Sequence, residues 1–92
     1  MIVRIATEGQ YELPEESRAK LGELDNEVVA ACRSDDEERF RSAFDRLLGF
    51  IRTEGRGVGE DELVGSDLII PPPDVSVQEA KAEFSGEGLI PT

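Results

Sequence analysis

Side chains that usually carry chemistry are sparse in this chain, and their spacing suits little of it. None of the 92 residues is a histidine, so the commonest general base and the commonest neutral metal ligand are both missing. Hydrolytic triads and zinc sites of the usual kinds cannot be built within one such chain. Adjacent carboxylates occur at Glu37 with Glu38 and at Asp61 with Glu62. A carboxylate pair does acid–base work only where its surroundings push the two pKa values apart. At a helix start or in a polar loop it reads instead as a complement to the helix dipole or as solvated charge. GEDEL, residues 59–63, lacks the alternating oxygen ligands and the distal bidentate glutamate of an EF-hand loop. GRGVG, residues 55–59, shares only its glycines with a phosphate loop: no lysine–hydroxyl pair follows, and the acids after it repel phosphate. Cys32, the single cysteine, has no activating neighbour in sequence and reads as a small buried hydrophobe. No catalytic residue, cofactor or metal ligand is expected, and the protein reads as a non-enzyme.

Recognition is the chemistry that remains. Pro71, Pro72 and Pro73 preset an extended segment, but a PxxP ligand needs its second proline three residues on, where Asp74 stands. A strand stop and rigid corner is the primary reading of the prolines, with a docking surface beside it. The formal charge is −11, and residues 58–92 hold eight acids against one base. Such a surface opposes phosphate backbones and anionic membranes and suits a basic protein partner or plain solubility. A lone cysteine, no leader and no apolar run long enough to span a bilayer point to a soluble, cytoplasmic protein without membrane insertion.

The elements that must position these residues follow from the apolar rhythm. MIVRIATEGQYEL alternates, with Val3 and Ile5 on one side of a strand and Arg4 on the other, which predicts an N-terminal β-hairpin turning near Gly9. Pro14 suits a first helical position, and Leu21, Leu24, Val28, Ala31 and Cys32 then share one stripe of a helix ending near Arg33. Ser34 with Glu37, or Asp35 with Glu38, offers a capping box for a second helix whose stripe is Phe40, Ala43, Phe44, Leu47, Leu48 and Ile51. So short a link makes the two helices an antiparallel hairpin. Residues 55–62 read as an exposed mobile loop, LVGSDLII as one later strand ended by the prolines, and Ser76 with Glu79 as the capping box of a short C-terminal helix. The expectation is one α+β domain over residues 1–92.

In this order, MIVRIATEGQYEL, LGELDNEVVAA, SDLIIPPPDVSVQEA and the closing GLIPT resemble the PspAA family, the phage shock protein A associated proteins. EGQY and SDLI with its prolines are the more specific pieces; the helices between are generic. The resemblance implies an accessory of PspA, a coiled-coil, membrane-remodelling protein of the envelope stress response, and it brings no catalytic residue. On that footing Glu60, Asp61, Glu62, Asp67 and Asp74 would supply electrostatic attraction, with apolar contact around Ile70, Pro71 and Pro72. Recruitment to the inner face of the membrane would then run through PspA. A self-associating structural module or homodimer, with no direct PspA contact, is the alternative.

Overall fold

The computed structural model describes residues 1–59 and 64–83. The alternating start forms strand β1 (Ile2–Ile5) and strand β2 (Gly9–Glu12), paired antiparallel with Val3 opposite Tyr11 and Ile5 opposite Gly9. The turn occupies residues 6–8, where the Glu8 N–H donates to the Ile5 carbonyl at 3.0 Å and Thr7 takes a positive φ of 69°. Pro14 stays extended and leads into a 3₁₀ turn (Glu15–Ser17), so the α-helix begins later than its proline suggested. Helix α1 (Arg18–Ser34) and helix α2 (Glu37–Glu54) pack side by side, and helix α3 (Val77–Glu83) lies against both.

The break between α1 and α2 falls where expected, but its caps are other residues. Asp35 closes α1 in the left-handed region with φ 58°, and the Asp36 carboxylate accepts the Arg39 N–H at 3.0 Å as the N-cap of α2. Ser34 turns its hydroxyl back to the Ala31 carbonyl at 2.9 Å, which removes it from capping. At α3 the expected capping box is present, with Ser76 and Glu79 exchanging bonds of 3.1 and 3.2 Å.

Residues 55–62, expected as a loop, are part strand. Arg56–Val58 form β3, which pairs antiparallel with β2, while Glu60, Asp61 and Glu62 lie outside the described residues. Gly and charge lowered the β reading of this stretch, but the free edge of β2 captured it. The later strand is β4 (Leu68–Ile70), parallel to β1, with Ile70 level with Ile5. Among the described residues the sheet therefore has four strands in the order β3-β2-β1-β4. One sheet face carries Val3, Ile5, Leu68 and Ile70 into a single core with the helix stripes, Leu13, Val75, Val77 and Ala80. Phe40 and Phe44, stacked with centroids 5.4 Å apart, are its largest members.

Candidate interaction surface

With the helices on one side of the sheet, period-two alternation sends every second side chain to the other. The register sets Ile69, Arg4, Gln10 and Val58 in one row across that outer face, and Ile2, Glu12 and Arg56 in the next. Asp67 joins the second row beside Ile2. Its N–H donates to the Ile2 carbonyl at 2.8 Å, and its carboxylate accepts the Ile2 N–H at 2.7 Å.

β3 and β4 both run parallel to β1, at opposite edges of the sheet. Leading into β4, Val64 and Ser66 lie over the outer side: the Gln10 amide, in the outer row, donates to the Val64 carbonyl at 3.1 Å and to the Ser66 hydroxyl at 2.8 Å. Between this segment and the hairpin turn lies an open groove of about 680 Å³, lined by Arg4, Gln10, Val58 and Val64 among others. Ile69 stands beside Arg4 and is 59% exposed, and Val64 is 42% exposed. Arg4 is exposed, and among the described residues no carboxylate pairs with it.

The residues singled out from sequence divide. Asp67 and Asp74 are exposed. Ile70 is fully buried and Pro71 is buried, so neither offers the apolar contact expected of it. The cause is alternation: in Leu68–Ile69–Ile70 the outer two side chains face the core and Ile69 alone faces out. Reading the run as uniformly apolar concealed this, although its period-two pattern held the signal. Pro72 and Pro73 are half-buried, and the chain there is held from α2. The Arg41 guanidinium donates to the Pro73 carbonyl at 2.8 Å and the Val75 carbonyl at 2.5 Å, and lies 5.5 and 5.7 Å from the Phe40 and Phe44 ring centres. Nothing in the spacing of α2 marks Arg41 as different from its other arginines. The proline corner is thus a strand stop feeding a capped helix, fixed by a cation.

A second cluster ties the hairpin turn to the end of α2. Glu8 accepts from the Arg52 guanidinium, with Nε at 2.8 Å, and from the Tyr11 hydroxyl at 2.7 Å. These partners, Arg52 first, hold the Glu8 carboxyl at about 2, and the same contact raises the Tyr11 hydroxyl above its ordinary value. Burial raises the Cys32 thiol, which disfavours the nucleophilic thiolate. Among the described residues no three acids or cysteines gather as a metal site. No helix among them is long and apolar enough to cross a membrane.

Compared with known families, residues 1–92 match PspAA, described as PspA-Associated protein. The chain belongs to the PspAA family. No curated protein matches it, and no solved structure does. The description attached to PspAA links the family to PspA. The α+β fold of this PspAA is, among the described residues, a four-stranded sheet, a helical hairpin and a short C-terminal helix.

Proposed function

We propose that this PspAA is a non-enzymatic accessory of the phage shock response that docks directly onto PspA and modulates it. The match of the whole chain to a PspA-associated family carries the reading. Surface chemistry supports it: residues 58–92, with eight acids against one base, carry −7 of the chain's net charge of −11, and exposed Asp67 and Asp74 flank the proline corner. Such a surface steers a partner that presents basic residues along a coiled coil. The work is done at the cytoplasmic side of the membrane, where PspAA arrives through PspA.

The test measures purified PspAA binding to purified PspA over a salt series. Raising ionic strength should weaken binding chiefly through the association rate. Asp74→Lys, and a joint Lys substitution of Glu60, Asp61 and Glu62, should each slow association several-fold, in line with lost steering. Affinity indifferent to salt and to both variants would remove the electrostatic docking. A second reading, self-association without PspA contact, draws support from β3 and β4, each of which has one strand neighbour among the described residues. Light scattering across concentration tests it: a mass that doubles in the absence of PspA favours that reading.

A further inference from the structure

The geometry points to the Arg4–Ile69 corner of the outer sheet face as the socket for a partner segment that presents a carboxylate beside a branched aliphatic side chain. It rests on the proposal that PspAA binds PspA, and it adds the surface and the contact chemistry. Ile69 and Val64 are the exposed large hydrophobic residues of the described chain, and both lie on this face. Arg4 sits at its centre, level with Ile69 on one side and Gln10 on the other. Arg18, Lys20, Arg41, Arg46, Arg52, Arg56 and Lys81 each have a carboxylate within ion-pair distance. Arg4 and Arg39 have none among the described residues, and of the two only Arg4 stands in the sheet, level with the exposed Ile69.

A cation left open between aliphatic side chains, on a surface of the opposite sign, selects for register. The surrounding acids attract a basic partner from a distance, but a basic side chain arriving at Arg4 is repelled. Only a register that sets a carboxylate on the guanidinium and an aliphatic group on Ile69 satisfies both. A second copy of this chain fits poorly. Two-fold contact through this face brings Arg4 toward its own image, between two molecules of net charge −11. The groove is open to solvent, and Arg4 and Gln10 both line it.

Steering and register selection separate kinetically, and this supplies the test. Full-length Arg4→Glu, Arg4→Lys and Ile69→Ser are bound to immobilised PspA while circular dichroism and the melting temperature monitor folding. Arg4→Glu and Ile69→Ser should each speed dissociation about tenfold or more, whereas Arg4→Lys, which keeps the charge, should stay within about threefold of the parent. Asp74→Lys should act on association instead. If Arg4→Glu disturbs β1, Ile69→Ser decides, because its side chain points to solvent. Unchanged dissociation in folded Arg4→Glu and Ile69→Ser, with the parent still binding PspA, overturns the socket and leaves the docking proposal intact. Failure of the parent to bind PspA overturns both. A dimer seen by light scattering that Ile69→Ser dissolves, without any effect on PspA binding, assigns the corner to a second copy and also overturns the socket.

Discussion

Arg41 joins elements that are distant in sequence through two carbonyls, two aromatic rings and the Asp45 carboxylate at 3.6 Å. Hydrogen bonds from a charged group are worth more than neutral ones, roughly 1.5–3 kcal/mol each net of the exchange with water. Arg41→Ala should therefore lower unfolding stability by about 2 kcal/mol, read from the urea midpoint, and Arg41→Lys should recover little, because an ammonium cannot span both carbonyls with a planar fork. Glu8 supplies a pH signature. Its carboxyl titrates at about 2 in the folded chain against an ordinary 4.5, so it favours the folded state above 4.5 and loses that contribution as pH falls toward 2. Solvent reaches the pair, which limits the effect to the order of 1 kcal/mol. Glu8→Gln should be less stable than the parent at pH 7, and the difference should close between about pH 4.5 and 2. Glu12, beside Arg56, and Glu79, beside Ser76, are lowered too, so the difference between variant and parent is the quantity to follow.

The joints between elements depend on a few backbone-level requirements. The Asp36 cap satisfies a first-turn N–H of α2, and Asp36→Ala should cost about 1 kcal/mol in urea or thermal unfolding. At the other end of α2 the chain turns directly into β3 at Gly55. A β-carbon there would stand 2.5 Å from the Ile51 carbonyl oxygen and 2.9 Å from Cβ of Tyr11, inside any tolerable contact. Gly55→Ala should destabilise by about 1–3 kcal/mol as α2 and β2 are pushed apart, and the same substitution at Gly49, which meets open space, should not. Helix stripes and the Ser76–Glu79 box were legible in sequence because each depends on spacing within a few residues. The α2 cap was not legible: spacing pointed to Ser34 or Asp35, whereas Asp35 closes α1 in the left-handed region and the turn leaves the cap to Asp36.

At the scale of the whole molecule, one core under one sheet face draws on β1, β4 and all three α-helices, so a large core deletion reaches all of these. Phe44 is fully buried and stacks on Phe40. Phe44→Ala should cost about 3–5 kcal/mol, a large share of the roughly 5–15 kcal/mol available to a small domain. Far-ultraviolet dichroism should show a melting temperature lowered by 10 °C or more, at about 4–8 °C per kcal/mol for this size. The sequence by itself determined where the apolar stripes lie, which makes helices of residues 18–34 and 37–54 and buries their stripes whatever they pack against. It also determined the hairpin, the proline stop and the acidic bias, since each is written in nearest neighbours or composition. Only the tertiary structure decided that Arg56–Val58 would join the sheet, that β4 would lie parallel to β1, and that Val64 and Ser66 would lie over the outer face. Those outcomes depend on which strand edges are free once the hairpin and helices have met, a competition between distant segments that no local spacing records. The same competition turned Ile70 inward and left Ile69 beside Arg4 on the open side.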